Sequence, residues 1–185
     1  MKTKRILSVL ALVVISLTSF TATAQKLVAS KTHIKFFSTT PVEDIEANNY
    51  KTIGTLDKKT GKIVFSVPMQ SFEFEKSLMQ KHFNSADFLD TKTNPKAKLI
   101  GTIKDVATLN FEQNGSFDIT VTGDLTINGV TKPIEEKATI KVEEGKVHLN
   151  AKFNVELKSH EIAFEKGKPS KNIAKVVEVT VEAIY

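Results

Sequence analysis

The fold is decided by residues 116–133, which read SFDITVTGDLTINGVTKP. Apolar and polar side chains alternate from Ser116 to Ile127, which is the pattern of a strand with one buried face. Asn128 and Gly129 then tolerate the positive φ angles of a tight turn, and the alternation resumes at Ile134. These residues predict a β-hairpin of two long antiparallel strands.

The two-residue period extends outward from this hairpin in both directions. It predicts about eight strands, at residues 33–39, 50–57, 62–69, 97–106, 116–127, 131–142, 146–157 and 176–185. Strands of ten residues span roughly 33 Å, a length that favours one closed barrel over two packed sheets. Only residues 74–84 break the period, because Leu78, Met79, His82 and Phe83 share a helical face. The expected fold is therefore all-β, an extended eight-stranded antiparallel barrel with a short helix over it.

The composition limits the chemistry. The chain has 185 residues, of which 41% are apolar and 25% charged, and it contains no cysteine. Disulfides, thiolate catalysis and cysteine metal sites are therefore excluded. The formal charge of +5 includes Lys2, Lys4 and Arg5 at the N-terminus, so the remaining chain is too weakly basic to indicate a nucleic-acid partner.

The first 24 residues are typical of a secretory signal peptide. Basic residues precede an apolar run from Ile6 to about Phe20, and Ala22-Thr23-Ala24 forms a small-residue cleavage pattern before Gln25. The run is shorter than the ~20 residues that a spanning helix requires. We therefore expect a signal peptide at 1–24, one domain at 25–185 without a stable membrane anchor, and a periplasmic or secreted location.

Motifs for catalysis or metal binding are weak. His160-Glu161 lacks the second histidine of a zinc-protease helix, and the chain has no nucleophile elbow or phosphate loop. The acidic residues 43–46 are interpreted as a solvated loop, and residues 158–175 as a long polar loop. His33, His148 and His160 are expected to be solvated or capping residues. No catalytic residue, metal ligand or cofactor is predicted.

Two stretches resemble the YceI-like family of exported, lipocalin-like proteins associated with polyisoprenoid binding. Residues 79–90 (MQKHFNSADFLD) are similar to its helix and following segment, and residues 123–133 (GDLTINGVTKP) to its hairpin. The chain departs from the family at Met79-Gln80-Lys81, where Arg-Asp is common, and lacks the tryptophan that several members carry near the mature N-terminus. The resemblance implies a lipocalin-like barrel whose long apolar pore holds an isoprenoid or other amphiphile, and it makes a homodimer plausible.

The alternation and the resemblance together predict a ligand-lining set. It comprises Ile34, Phe36, Ile63, Phe65, Val67, Phe72, Phe74, Met79, His82, Phe83, Phe88, Ile119, Val121, Leu125, Leu149 and Phe153. The expected function is non-enzymatic binding, storage or transport of a long-chain isoprenoid, such as an isoprenoid quinone, or of another lipid. The alternative left open is a filled barrel that acts as an adhesion or assembly module, since an eight-stranded barrel can be packed by its own side chains.

Overall fold

The computed structural model describes residues 26–162 and 172–185, together with the backbone of two short strands at 164–165 and 168–169. The predicted signal peptide lies outside the described residues. The strands are β1 (Lys26–Val28), β2 (Lys31–Thr39), β3 (Asp44–Asn49), β4 (Ile53–Asp57), β5 (Lys62–Pro68), β6 (Glu73–Phe74), β7 (Lys96–Ile103), β8 (Gly115–Ile127), β9 (Val130–Glu143), β10 (Lys146–Glu156), β11 (Phe164–Glu165), β12 (Lys168–Pro169) and β13 (Val176–Ile184). In this part of the chain one α-helix, α1, spans Ser77–Asn84. None of the helices in the described part of the chain is long and apolar enough to cross a membrane.

Eleven of the described strands form one antiparallel sheet, in the order β1-β4-β5-β7-β8-β9-β10-β13-β2-β3-β6. The sheet closes because β1, at one end of this order, and β2, near the other end, are consecutive parts of one bent strand. At the bend, the Ala29 amide donates to the Gly54 carbonyl at 2.9 Å, and the Ser30 amide donates to the Ile184 carbonyl at 2.7 Å. The first strand thus joins β4 on one side to β13 on the other, and the sheet curls into a barrel.

The eight predicted strands correspond to eight segments of this barrel, and the all-β barrel class is confirmed. β3 and β4 act as one interrupted strand, since Ile34↔Asn49 and Val28↔Thr55 keep the same antiparallel register against β2 and β1. The interpretation of residues 43–46 as a solvated loop is wrong, because Asp44 begins β3. The acidic side chains mask an alternation in which Ile45 and Ala47 face inward and Asp44 and Glu46 face outward.

The predicted helix is confirmed but is shorter, and one of its four face residues points outward. Phe83 is buried, whereas Leu78 is 60% exposed. The helix and its flanking residues connect β5 to β7 across one end of the barrel, and β6 pairs with β3. The segment between β5 and β7 is therefore a cap over that end.

The opposite end of the barrel is solid. Its largest fully buried side chains include Leu56, Ile63, Ile103, Ile140 and Leu149. Tyr185 closes the chain there, where its backbone pairs with Val147. Burial raises the pKa of the Tyr185 hydroxyl well above its usual value. This end is a packed hydrophobic core.

Candidate apolar binding cavity

The capped end of the barrel is hollow. It holds a cavity of about 320 Å³, which is enclosed by the inner faces of β2, β5, β7, β8, β10 and β13 and by α1. This volume lies at the lower end of the range of ligand pockets, and an apolar lining of this kind is their usual character.

Twelve of the sixteen predicted ligand-lining residues border this cavity: Ile34, Phe36, Phe65, Val67, Phe72, Phe74, Met79, His82, Phe83, Phe88, Leu125 and Phe153. The strand residues of this set were predicted from the alternation, which assigned them to the inner face. Met79, His82 and Phe83 were predicted from the helical period, which places them on one face. His82 borders the cavity although the residue as a whole is exposed.

Ile63, Ile119, Val121 and Leu149 are the remaining four predicted residues, and they do not line the cavity. All four are buried in the hydrophobic core instead. Alternation gives the face of a strand on which a residue lies but not its depth along the barrel axis, which depends on the tilt and stagger of the strands. The cavity is therefore confined to one end, whereas the family resemblance implied a long pore.

The sequence analysis missed a group of aliphatic residues that complete the lining. They come chiefly from the ends of strands and from the segments that cap the barrel: Ile45, Met69, Leu89, Ala97, Leu99, Ile127, Val155, Leu157, Ile162, Ile173, Val177, Val179 and Val181. Val177, Val179 and Val181 carried a usable signal, because they alternate along β13. Ile162 and Ile173 had none, because they lie in a segment without periodicity.

A cluster of phenylalanines forms the roof. Phe83 on α1 is at its centre, with ring centroids 5.0 Å from Phe74, 5.5 Å from Phe72 and 5.6 Å from Phe36. Phe88, just beyond the helix, lies 6.2 Å from Phe83. Aromatic pairs at these separations contribute about 0.5–1.5 kcal/mol each beyond their buried area. The cluster therefore attaches the helix to β2 and β6.

Few polar groups border the cavity. Ser38 is buried, and its hydroxyl oxygen accepts a hydrogen bond from the Ala174 amide at 2.9 Å. Glu43 carries the nearest ion pair, since the Lys76 Nζ lies 3.3 Å from its Oε1. Asn172 and His82 also contribute to the lining. Lys98 of β7 also borders the cavity, although the residue as a whole is exposed. The interior is thus apolar, and its few polar and charged residues lie at its border.

A chain of amide contacts fixes the loops around this end. Asn94 Nδ2 donates to Asn128 Oδ1 at 3.0 Å, and Asn128 Nδ2 lies 3.3 Å from the carbonyl oxygens of both His160 and Glu161. Asn128 has a φ of 52°, as the tight turn after β8 requires. The hairpin turn that the sequence predicted therefore also holds the segment after β10, from which Leu157 and Ile162 reach the cavity.

His160 contradicts the expectation of a solvated histidine. It is only 3% exposed, and its Nδ1 lies 3.1 Å from the Val130 carbonyl oxygen. A carbonyl only accepts, so Nδ1 carries the proton in this contact. β9 and β10 stop pairing at Ala138↔Ala151 and diverge toward the hollow end. The segment that follows β10 therefore packs against β9 there. His160 fastens the segment across this gap.

The described residues contain no group of three histidine, aspartate or glutamate side chains that could hold a metal ion. The cavity residues offer van der Waals contact and a few hydrogen bonds. The site is thus suited to hold an apolar molecule by shape.

Comparison with known proteins agrees with this geometry. The YceI-like domain model matches residues 14–185. Protein YceI of Escherichia coli is 28% identical over 135 residues, which cover 68% of this chain and 66% of that protein. A UPF0312 protein of Shewanella denitrificans is 36% identical over 78 residues, but the match spans only 42% of this chain and 37% of that relative.

Solved structures share the fold at low sequence identity. A polyisoprenoid binding domain from Saccharophagus degradans, implicated in plant cell wall breakdown, superimposes with a TM-score of 0.74 at 11% identity, covering 87% of this chain and 97% of that one. Burkholderia cenocepacia BcnA does so with a TM-score of 0.68 at 16% identity, covering 83% and 96%. The family model, which spans the hairpin, the helical cap and every strand of the barrel, establishes that the chain belongs to the YceI-like family.

Proposed function

We propose that the protein binds the apolar chain of an isoprenoid, or of another amphiphilic lipid, in the hollow end of the barrel. The observation that carries this proposal is a cavity of about 320 Å³ lined almost wholly by aliphatic and phenylalanine side chains. The polyisoprenoid binding domain of similar fold supports the same class of ligand. The protein would store or transport this lipid without altering it.

The hydrophobic effect is sufficient to hold such a ligand. Each buried methylene contributes roughly 0.8 kcal/mol, so a short run of them offsets the several kcal/mol lost on immobilising the ligand. No charged contact is required. Specificity would then come from chain thickness and from the groups at the entrance.

The extent of the cavity limits how much of a ligand can enter. On β13 its lining runs from Val177 to Val181, a rise of roughly 13 Å, and it stops where the packed core begins. A long prenyl chain would therefore enter by one end only. The remainder and any polar head would lie toward Glu43, Lys76 and His82.

The rival is a barrel that acts as an adhesion or assembly module without a ligand. The solid half of the interior is built around Ile63, Ile140 and Leu149. It favours this alternative because a packed core can keep the barrel folded without a ligand. The two proposals differ in whether the hollow half is occupied.

Solvent extraction followed by mass spectrometry separates the two proposals. Protein purified from its native source is expected to yield a lipid in stoichiometric amount, and stripped protein is expected to melt at a higher temperature when a prenyl quinone is added. Phe65→Leu and Met79→Ala should lower the lipid content. Ile63→Val, in the packed core, is the matched control and should leave it unchanged. Absence of extractable lipid, with no shift on adding the quinone, would establish the ligand-free alternative.

Export is a separate proposal that rests on the N-terminal sequence. We expect intact-mass measurement on secreted or periplasmic material to give a chain beginning at Gln25. A retained Met1 would contradict it.

Homodimer formation, which the family resemblance makes plausible, is also a proposal. Sedimentation of the purified protein decides it, with a mass of one chain as the contrary result.

A further inference from the structure

The outer surface of β1, β4, β5 and β7 combines exposed apolar side chains with lysines. We call this surface the basic wall. The alternation places Val28, Ile53 and Ile100 on the solvent side. They are 64%, 61% and 41% exposed, although their side chains are apolar. Polar residues usually occupy the outer face of an antiparallel sheet. A run of exposed β-branched residues on neighbouring strands therefore needs a cause.

These apolar residues form a continuous group. Val28 lies opposite Thr55, Thr55 opposite Val64, and Val64 opposite Ile100. Four neighbouring strands at about 4.8 Å spacing make the group roughly 14 Å wide. Ile53 lies two residues before Thr55 on the same face.

Lysines surround the group, and their charge is not neutralised locally. Lys62, Lys96 and Lys98 are exposed and have no carboxylate oxygen within 4.0 Å among the residues that the structure describes. On the four strands of the wall this face carries one acid, Asp57, which accepts hydrogen bonds from the amides of Lys59 and Thr60, both at 2.9 Å. Asp124 on the adjacent strand β8 lies opposite Ile100 at the edge of the wall. The basic wall is thus positive as well as apolar.

The opposite side of the barrel has a different distribution of charge. Lys152 on β10 lies 2.8 Å from Glu178, and Lys141 on β9 lies 2.8 Å from Glu143. Lys35 on β2 is 3.6 Å from Glu46. In the described part of the chain, Lys137 and Lys146 on this side also lack an ion pair, but no large apolar side chain of β9 or β10 is exposed beside them. The combination of unpaired lysines with exposed apolar side chains is therefore what distinguishes the basic wall.

We propose that the basic wall docks reversibly on an anionic lipid bilayer. Lysines above a bilayer attract its anionic head groups, while short apolar side chains enter the interfacial layer. A partner protein is a poorer match, because binding energy between proteins concentrates in side chains that fill a well-packed pocket, and a convex barrel wall presents none. The inner face of the same strands carries Phe65, Ala97 and Leu99, so docking would bring the cavity within one sheet of the membrane.

Co-sedimentation with vesicles tests this proposal. Protein expressed from the full-length reading frame and purified is mixed with vesicles of phosphatidylglycerol and phosphatidylcholine, or of phosphatidylcholine alone. We expect binding to the anionic vesicles only, with loss of binding between 0.1 M and 1 M salt, because the Debye length falls from about 10 Å to 3 Å.

Charge-reversal variants localise the contact. Each lysine near an anionic surface is worth roughly a fivefold change in partitioning, so the double variant K96E/K98E should bind more than tenfold more weakly. The matched control is K137E/K146E, which makes the same change in net charge at exposed positions of β9 and β10. I53S and I100S should weaken binding without changing the charge, and circular dichroism verifies that each variant is folded.

Three results would overturn the proposal: no binding to anionic vesicles, equal binding to both kinds of vesicle, or equal weakening by the control pair. The test does not involve the cavity ligand. Failure here would leave the proposed lipid binding intact, and failure of the extraction experiment would leave membrane docking intact.

Discussion

The rings of Phe36 and Phe83 are stacked, with their centroids 5.6 Å apart and their planes 14° from parallel. Phe36 belongs to β2 and Phe83 to α1, so this contact joins the barrel wall to its cap. The helix has eight residues, and no side-chain hydrogen bond caps its N-terminus. An isolated helix of this length is unstable in water. Packing of Phe83 against the phenylalanine cluster is therefore what keeps it folded.

The first prediction concerns this contact. We expect Phe83→Ala to lower the free energy of unfolding by about 3 kcal/mol, the lower end for a buried phenylalanine, because the side chain already borders a cavity. Leu78→Ala on the same helix is the control. It should change stability by less than about 0.5 kcal/mol, because Leu78 is exposed. Urea denaturation measures both, and equal losses would show that the cap does not depend on Phe83.

The second prediction concerns a close approach of two strands. Gly101 on β7 lies directly opposite Gly123 on β8. A Cβ added at Gly123 would lie 2.2 Å from the Ile100 carbonyl oxygen and 2.5 Å from the Gly101 Cα. Both are backbone atoms that cannot move aside without separating the strands. We therefore expect Gly123→Ala to cost more than about 3 kcal/mol or to prevent folding.

Gly101→Ala is the comparison for this variant. Its added Cβ would meet the Val121 Cγ1 at 2.9 Å, and a side-chain atom can move more readily than backbone. Thermal melts should therefore place Gly101→Ala between the wild type and Gly123→Ala. The reverse order would contradict the backbone argument.

The strands could be predicted from the sequence because their signal is local. Alternation from Ser116 to Ile127 identifies a strand and its buried face without knowledge of its partners. β3 was missed because its acidic outer residues resemble a loop. The pairing of the first strand with both β4 and β13 also could not be predicted. It depends on the bend at Ala29 and Ser30, and no glycine or proline at these positions indicates a bend.

The candidate site could be predicted in part. Phe36, Phe65 and Phe153 were identified as inward residues, whereas the position at which the interior changes from hollow to packed depends on how eight strands are staggered. His160 was missed for a related reason. Its burial follows from the divergence of β9 and β10 and from its contact with Val130, which is 30 residues away in the sequence.

The third prediction is a pH dependence at Glu136. This residue lies on the inner face of β9, between Ile134 and Ala138, and burial raises its pKa above the usual value of 4.5. A raised pKa means that the folded protein holds the proton more tightly than the unfolded chain. The contribution of Glu136 to stability is therefore most favourable below pH 4.5 and declines as the pH rises through the folded pKa.

Glu136→Gln removes this ionisation. It should stabilise the protein slightly at pH 7, within the about 0.5 kcal/mol usual for partly exposed positions, and should have no such advantage at pH 4. Glu135→Gln is the control, because Glu135 points outward and its Oε1 lies 2.9 Å from the Lys104 Nζ. Thermal melts at the two pH values measure the difference. If Glu136→Gln raises the melting temperature equally at both pH values, ionisation of Glu136 is not the cause of the stabilisation.

The last prediction distinguishes the hollow end from the solid end with one substitution at two places. Ala97 on β7 and Ala183 on β13 are both buried and both face inward. Ala97 borders the cavity, whereas Ala183 lies opposite Leu149 in the packed core. Ala97→Leu adds a side chain that the cavity can accept, and filling a cavity commonly stabilises a protein by about 0.5–2 kcal/mol. Ala183→Leu adds the same volume where none is free and should cost about 1–3 kcal/mol.

Denaturation of lipid-stripped protein measures both changes, and a prenyl quinone titration of the same samples should show weaker binding for Ala97→Leu alone. If both variants lose stability equally, the cavity at Ala97 closes in solution and the proposed binding site loses its physical basis.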